Sequence, residues 1–259
     1  MNILEKLAEL SRQRLENDRQ KISLSEMKGL AKNSDKGDEK FLSALQKKNL
    51  SLICEVKKAS PSKGIIAENF PYIEIAKDYE NFGADCISCL TEPNYFLGSD
   101  KIFSEIRAEV SIPMLRKDFT VDEYQIYQAK FLGADAVLLI CAILSAQELE
   151  NFLQVCEDLK ISALVETHDE FEIKTALEVG AKIIGVNNRN LKNFSVDFSN
   201  AAKLRELIPA GKIFVSESGV KTVDDIKILK KIGADAVLVG ETLMRATDKK
   251  KILSDFKSA

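Results

Sequence analysis

The chain has 259 residues, of which 45% are hydrophobic and 30% are charged, a composition typical of a folded globular protein. Lys and Arg total 37 against 40 Asp and Glu, and this net charge of −3 argues against a nucleic-acid-binding surface. The longest apolar run, Ala136 to Leu144, is too short to span a bilayer, and residues 1–6 carry charge where a signal peptide would be apolar, so we expect a cytoplasmic protein without membrane contact.

Residues 1–48 are rich in Lys, Glu, Gln and Ser and differ from the rest of the chain. Apolar residues at helical spacing predict one amphipathic helix here, namely Ile3, Leu4, Leu7, Leu10 and Leu15. A polar connection through 33–38 and a short helix near 41–46 should follow. Because so few apolar residues cannot form a core of their own, we predict a helical extension packed on a main domain at 49–259.

From Ser51 onward, short apolar segments alternate with amphipathic ones. The segments read as strands cover residues 52–57, 85–90, 112–117, 135–140, 162–166, 182–187, 212–216 and 235–239. The clearest helical segments cover residues 72–82, 122–132, 145–159, 169–179 and 222–232, and Asp122, Ser145 and Thr222 are good N-caps. The near-continuous Val, Ile, Leu and Ala content of the strands suits parallel strands buried on both faces.

A Gly-Ala-Asp segment recurs at 83–85, 133–135 and 233–235, with Gly-Ala-Lys at 180–182 between them. Each glycine ends a helical pattern, where a left-handed cap costs glycine little, and a strand begins at once. The interval of roughly 50 residues fits two βα units. Eight strands with eight crossovers therefore predict a closed (β/α)8 barrel, and the open doubly wound alternative lacks its Gly-x-Gly-x-x-Gly fingerprint after the first strand.

Polar residues interrupt the predicted strands where those strands end, which is where the active site of such a barrel lies. Glu55 and Lys57 share one face at the end of the first strand, and Lys117 ends the third. Glu166 ends the fifth strand and Asn187 the sixth. Together these residues predict a catalytic centre. Lysines that lie close together should have lowered pKa values, which would suit a proton donor near neutral pH.

The seventh and eighth strands end in small residues, Ser218-Gly219 and Gly240-Glu241. Small residues let backbone N–H groups approach a ligand, and barrels of this kind commonly hold phosphate at these two loops. The loop 60–64 after the first strand adds hydroxyls and a lysine that can fold over the mouth. We therefore predict a phosphate site here.

Three further side chains lie near the predicted site. His168 is the only histidine and lies in a charged loop, so we expect it to face solvent rather than to act in catalysis. Tyr95 and Phe96, after the second strand, either cover an aromatic ligand or simply pack within their loop.

The cysteines total five, an odd number scattered along the chain, which favours free thiols and a reducing compartment. Cys54 neighbours Glu55 and should face away from the barrel lumen. Cys86 and Cys89 are spaced like a metal pair, but in a strand they point to opposite faces. We expect all three to be packing residues and predict no metal site.

At these strand ends the sequence resembles indole-3-glycerol-phosphate synthase, an enzyme of tryptophan biosynthesis, over nearly its whole length. The motifs that carry the resemblance are Glu55-x-Lys57-x-x-Ser60-Pro61-Ser62, Arg116-Lys117-Asp118-Phe119, Asn187-Asn188-Arg189, Glu217-Ser218-Gly219 and Gly240-Glu241-x-Leu243-Met244-Arg245. Two small departures are Asn190, where the family usually has Asp, and Thr167, where Val is common.

The resemblance implies a carboxy-lyase that needs no cofactor or metal and acts on 1-(2-carboxyphenylamino)-1-deoxyribulose 5-phosphate. Lys117 would be the general acid of ring closure, and Lys57 would neutralise the substrate carboxylate and assist dehydration. Glu166 would be the base or proton partner of the later step, while Glu55 and Asn187 hold the lysines and a substrate hydroxyl. The implied binding residues are Ser60, Phe119, Arg189, Ser218, Gly219, Gly240 and Glu241, with Arg189 as a support.

Two other functions stay open at this stage. Phosphoribosylanthranilate isomerase is a barrel of the same pathway, but that family uses a lumenal cysteine and aspartate, and here Cys54 should face outward. A non-catalytic barrel that binds a phosphorylated ligand would have lost Lys57, Lys117 or Glu166, and all three are present. The expected partner is a small phosphorylated substrate, and we expect a monomer or a weak homodimer.

Overall fold

A computed structural model describes residues 2–34, 38–189 and 195–259. Eight parallel strands form a closed barrel in which each strand pairs with the next along the chain and the eighth pairs with the first. The strands are β1 (Ser51–Val56), β2 (Cys86–Leu90), β3 (Met114–Lys117), β4 (Ala136–Ile140), β5 (Ser162–Thr167), β6 (Ile183–Asn187), β7 (Ile213–Glu217) and β8 (Ala236–Val239). The predicted (β/α)8 barrel is confirmed.

Three helices precede the barrel and nine lie within or after it in the described part of the chain. The first three are α1 (Ile3–Lys21), α2 (Leu24–Asn33) and α3 (Lys40–Leu45). The others are α4 (Tyr72–Asn81), α5 (Asp100–Arg107), α6 (Glu123–Phe131), α7 (Ala146–Asp158), α8 (Glu170–Glu178), α9 (Phe198–Arg205), α10 (Val223–Lys231), α11 (Glu241–Arg245) and α12 (Lys249–Ser258). The predicted N-caps Asp122, Ser145 and Thr222 each accept a hydrogen bond from the first turn of their helix.

The repeated Gly-Ala-Asp segments join each helix to the barrel in the same way. Gly83, Gly133 and Gly233 all have positive φ, as a left-handed cap requires. The aspartate that follows accepts the backbone N–H at the start of the preceding strand: Asp85 from Leu52, Asp135 from Met114 and Asp235 from Phe214, at 2.8–2.9 Å. The repeat therefore both ends a helix and aligns neighbouring strands.

The N-terminal extension contains one helix more than the sequence analysis predicts. The expected single helix ends at Lys21, and a second begins after Ser23. Ser23 and Glu26 form a capping box, in which each side chain accepts the other's backbone N–H. The prediction of a single helix was wrong because this Ser-x-x-Glu signal was overlooked. Part of the predicted polar connection, 35–37, lies outside the described residues.

The extension covers both ends of the barrel. At the N-terminal end, Ser51 donates to the carbonyl of Ala44, and the N–H of Leu42 donates to Ser162, so α3 lies across the starts of β1 and β5. At the C-terminal end, the hydroxyl of Ser11 in α1 donates to the carbonyl of Phe119 at 2.6 Å. The helix α1 thus lies against the mouth, where the polar strand ends meet.

Apolar side chains form two layers, one inside the barrel and one between the strands and the outer helices. Cys86 belongs to the inner layer, whereas Cys54 and Cys89 belong to the outer layer. The predicted outward direction of Cys54 and the opposite directions of Cys86 and Cys89 are confirmed. Among the helices of the described residues, none combines the length and the hydrophobicity that crossing a bilayer requires.

Candidate active site

A cavity of about 670 Å³ opens at the carboxyl ends of the strands. Every residue that the sequence analysis assigned to catalysis or substrate binding lines it, namely Glu55, Lys57, Ser60, Lys117, Phe119, Glu166, Asn187, Arg189, Ser218, Gly219, Gly240 and Glu241. These residues come from the ends of six strands and the loops that follow them. The barrel therefore brings the whole predicted set to one concave surface.

Lys117 lies at the centre of the charged part of the cavity. Its ammonium donates to Glu166 at 3.0 Å and lies 3.3 Å from Glu217. Asn187 donates to the other oxygen of Glu166 at 3.1 Å. The side chains of Glu166 and Glu217 are almost completely buried, so a lysine and two carboxylates are held together away from bulk water.

The surroundings of Lys117 raise its pKa. Burial alone would lower this pKa, but the charges of Glu166, Glu217 and Glu55 outweigh burial. The expectation of lowered lysine pKa values is therefore wrong for Lys117, because nearby carboxylates and not a second lysine dominate its field. Lys117 remains protonated throughout the neutral pH range.

Glu166 is flanked by a second cation that the sequence analysis placed in solvent. The Nε2 atom of His168 lies 3.3 Å from Glu166 Oε1, an ion-pair distance without the geometry of a hydrogen bond, and Nδ1 lies 3.0 Å from Glu172. The side chain of His168 is only 18% exposed, so the expectation that it faces solvent was wrong. Burial would raise the pKa of Glu166, but Lys117, His168 and Asn187 lower it.

Glu217 is a charged residue of the cavity that the sequence analysis did not single out. Its carboxylate faces Lys117, and burial together with the charges of Glu166 and Glu55 raises its pKa to about 7 despite the attraction of Lys117. A Cβ atom on Gly185 would overlap its carboxylate, so that glycine on the neighbouring strand makes room for it. The available signal was parity, since Glu217 lies two residues after the lumenal Val215.

Glu55 and Lys57 form a second charged pair in the cavity. Lys57 donates to the carboxylate of Glu55, whose side chain is 5% exposed. Gly240 lies directly above this pair: a Cβ there would come within 2.9 Å of Lys57 Nζ and closer still to Glu55 Oε1. Gly240 therefore provides space for the Glu55–Lys57 pair, which the prediction of a phosphate site did not anticipate.

One wall of the cavity is apolar. Leu4 and Leu7 of α1 lie beside Phe96 and Phe119, whose ring centroids are 6.2 Å apart. Phe96 thus reaches the cavity, whereas Tyr95 lies under the ammonium of Lys6. The sequence analysis treated the apolar face of α1 only as a packing surface, so its contribution to the cavity was missed. A flat aromatic ring fits such a wall.

The opposite rim is polar and built from small residues. Ser218 and Gly219 both have positive φ, and the side chain of Asn188 donates to the carbonyls of Glu217 and Ser218. Ser60 is buried at the same rim. Cations at this rim include Lys63, Arg189, Lys221 and Arg245. Glu241 pairs with Arg245 at 3.2 Å and with Lys63 at 3.7 Å.

Arg189 lies at the edge of the cavity, and its backbone N–H donates to the side chain of Asn187 at 3.0 Å. Asn190, where the sequence departs from the usual motif, lies outside the described residues. The other departure, Thr167, is buried and donates to the carbonyl of Gly185, so it serves the pairing of β5 with β6.

Comparison with known proteins identifies the family of the chain. The model of the family described as indole-3-glycerol phosphate synthase matches residues 4–256. The chain belongs to this family. The resemblance, the carboxy-lyase activity and the place in tryptophan biosynthesis that the motifs predict are thereby confirmed.

Relatives with this name are similar along their full length. An indole-3-glycerol phosphate synthase of Ruminiclostridium cellulolyticum is 54% identical over 95% of each chain. That of Endomicrobium trichonymphae is 52% identical over 98% of this chain and 99% of its own.

Solved structures of other enzymes share the fold of this family member. Thiamine phosphate pyrophosphorylase from Pyrococcus furiosus has a TM-score of 0.62 at 16% identity, and covers 81% of this chain and 94% of its own. A 3-hexulose-6-phosphate synthase has a TM-score of 0.64 at 18% identity, and covers 81% of this chain and 99% of its own. At such low identity these similarities concern the barrel alone.

Proposed function

We propose that the cavity binds 1-(2-carboxyphenylamino)-1-deoxyribulose 5-phosphate and converts it to indole-3-glycerol phosphate, CO2 and water. The observation that carries this proposal is the position of the Lys117 cluster between an apolar wall and a cationic rim. The substrate has the same three parts in the same order. It has an aromatic acid at one end, a ketone in the middle and a phosphate at the other end.

Each end of the substrate has a suitable partner. The aromatic ring packs against Leu7, Phe96 and Phe119, with its carboxylate directed towards Lys57. The phosphate takes the rim formed by the backbone of 218–219 and 240–241 with Ser60, where phosphate is common in barrels of this type. Holding both ends of a flexible chain fixes the ketone beside Lys117 and turns remote binding energy into orientation.

Ring closure forms a bond between the carboxyl-bearing carbon of the aromatic ring and the carbonyl carbon of the ribulose chain. The carbonyl oxygen gains negative charge as its π electrons move onto it, and Lys117 supplies a proton to it. Because the carboxylates around Lys117 raise its pKa, this lysine carries the proton to be donated throughout the neutral pH range. Glu217, with a pKa raised to about 7, is placed to return a proton to Lys117.

Loss of CO2 and then of water completes the indole. The bond from the ring carbon to the carboxyl group breaks, and its electron pair returns to the ring system. Lys57 then no longer faces the substrate carboxylate, which has left as CO2. A lysine then donates a proton to the new hydroxyl group, which leaves as water. Glu166 removes the proton whose loss makes the new ring aromatic. Glu55 holds Lys57 and Asn187 holds Glu166 during these steps.

We further propose that the helical extension 1–48 and the barrel 49–259 work as one catalytic unit in the cytoplasm, as a monomer or a weak homodimer, without metal or cofactor. The five cysteines are free and four of them are buried, which suits a reducing compartment. Contacts of α1 with the cavity support the single unit, because they make the extension part of the substrate site.

Incubation of the purified protein with the proposed substrate tests this function. Indole fluorescence should appear together with one equivalent of CO2, and it should appear at least roughly 10²-fold more slowly with the Lys117→Ala variant. Incubation with phosphoribosylanthranilate is the second arm. Conversion of that compound alone would favour the isomerase, and binding of both compounds without conversion would favour the non-catalytic barrel.

A further inference from the structure

His168 connects the active site to the outer helix α8. It directly follows β5, and its two ring nitrogens face two different carboxylates. Nε2 lies 3.3 Å from Glu166 Oε1, and Nδ1 lies 3.0 Å from Glu172 Oε2. His168 does not line the cavity, so it lies behind Glu166 as seen from the substrate.

The histidine is held firmly in this place. Glu172 also accepts the backbone N–H of His168 at 2.7 Å, and the N–H of Glu172 donates to the N-cap Asp169 at 2.9 Å. On the other side, the side chain of Asn200 donates to the carbonyl of His168 at 3.3 Å. Both the ring and its backbone are therefore fixed by the start of α8 and by α9.

We propose that His168 is a positioning residue, an imidazolium held by Glu172 that fixes the carboxylate of Glu166 against Lys117 and Asn187. The proposal rests on the proposed function, because it is Glu166 that acts on the substrate. It assigns to the Glu172–His168 pair the task of keeping this carboxylate ionised and oriented. Neither residue touches the substrate cavity.

The charges around the ring favour the imidazolium. Glu166 faces it from β5, and Glu172 faces it from the start of α8, while the N-cap Asp169 accepts the backbone N–H of Glu172. Cys141, after β4, donates to the carbonyl of Glu172, and burial raises the pKa of this thiol to about 12, so it stays neutral. Burial would lower the pKa of His168, but Glu166 and Glu172 together raise it to about 10.

A second cation on Glu166 matters at one step of the reaction. Lys117 becomes neutral when it passes its proton to the substrate, and even when protonated its charge is shared between Glu166 and Glu217. Without His168, Glu166 would then be a buried carboxylate with no neighbouring cation among the contacts described here, and it would take up a proton. With His168 in place, Glu166 stays ionised and is ready to accept the later proton.

Nuclear magnetic resonance of the imidazole tests the electrostatic part of this proposal. His168 is the only histidine, so its ring signals need no assignment. We expect it to titrate near pH 10 in the unmodified enzyme and at lower pH in both Glu166→Gln and Glu172→Gln. Glu170→Gln, on the same helix and of equal charge change, should leave the titration unaltered. A wild-type titration at about 6.5 would overturn the proposal.

Turnover tests the positioning part. His168→Gln and Glu172→Gln should each lower kcat by roughly 3- to 30-fold while KM changes less than about twofold, because the substrate contacts are intact. Glu170→Gln should keep the wild-type kcat. Equal kcat for all three variants would overturn the proposal even though the wild-type enzyme forms indole, whereas a wild-type protein that forms no indole would overturn the proposed function instead.

Discussion

The ammonium of Lys117 lies 3.0 Å from the carboxylate of Glu166, although the two residues are 49 positions apart in the chain and end two strands that β4 separates. The contact therefore spans the width of one intervening strand. Each partner is buried, so each depends on the other to balance its charge.

Removal of either partner should abolish most of the activity. We expect Lys117→Ala and Glu166→Ala to lower kcat by at least roughly 10²-fold, since each removes a group that transfers a proton. Steady-state kinetics on folded protein, checked by circular dichroism, measures this. Lys101→Ala is the matched control, because the Lys101 side chain is 81% exposed on α5. Near-normal turnover in either active-site variant would remove that residue from the mechanism.

Glu217 should make the stability depend on pH. Its pKa is raised from 4.5 to about 7, so the folded protein binds this proton more tightly than the unfolded chain does. The resulting contribution to the free energy of unfolding is fully present below pH 4.5 and is lost as the pH rises through about 7. Glu217→Gln stays neutral throughout. The free energy of unfolding of the variant, measured by urea titration, should therefore rise relative to wild type between pH 5 and pH 8. A difference that is constant over this range would mean that Glu217 has an ordinary pKa.

Gly240 should matter for turnover and not only for phosphate binding. Gly240→Ala would force the buried Glu55–Lys57 pair to move, so we expect kcat to fall by roughly tenfold or more. Gly29→Ala is the control, because a Cβ there meets nothing within 4 Å and helical alanine is favourable. An increase of KM with unchanged kcat would show that Gly240 affects only the binding of the substrate phosphate.

Substitution of Ser218 should show where the substrate phosphate binds. Ser218→Glu places a carboxylate at the proposed phosphate rim, so KM for the substrate should rise by roughly tenfold or more. Ser254→Glu adds the same charge on the exposed face of α12 and should leave KM unaltered. An unchanged KM for Ser218→Glu would place the phosphate elsewhere in the cavity.

Arg14 should stabilise the junction between the extension and the barrel. It donates to both oxygens of Asp118 at 2.8 Å, and the Asp118 side chain is only 2% exposed. Arg14→Met leaves Asp118 with the more distant Arg116 at 3.7 Å, which should cost about 2–3 kcal/mol of unfolding free energy. Arg12→Met, on the same helix but half exposed, should change it by less than about 0.5 kcal/mol. Equal effects of the two substitutions would contradict this view of the junction.

The strands could be located from sequence to within two residues because all eight are buried on both faces and are apolar along most of their length. The same pattern made Glu55, Lys57, Lys117, Glu166 and Asn187 visible as polar interruptions. The sequence could not provide the distances between these charged groups in the folded barrel. The raised pKa of Lys117 depends on how closely three carboxylates from three strands approach it, and no spacing along the chain encodes that.

Two of the missed features had local signals. His168 and Glu172 are four residues apart at a helix start, a spacing that brings side chains together, but the connection to Glu166 needs the turn that follows β5. The sequence analysis assigned no role to Glu217, which directly precedes the small residues Ser218 and Gly219 of the predicted phosphate site. Its position next to Asn187 in the register of β6 and β7 is a property of the closed barrel.

The pairing of β8 with β1 has a consequence for folding. Gly240 lies over the Glu55–Lys57 pair, so the first and the last strands of the barrel meet beside these buried charges. A chain in which β8 has not yet docked against β1 lacks one wall of the pocket. Closure of the barrel therefore also completes the cavity, and a partially folded chain should not retain the substrate.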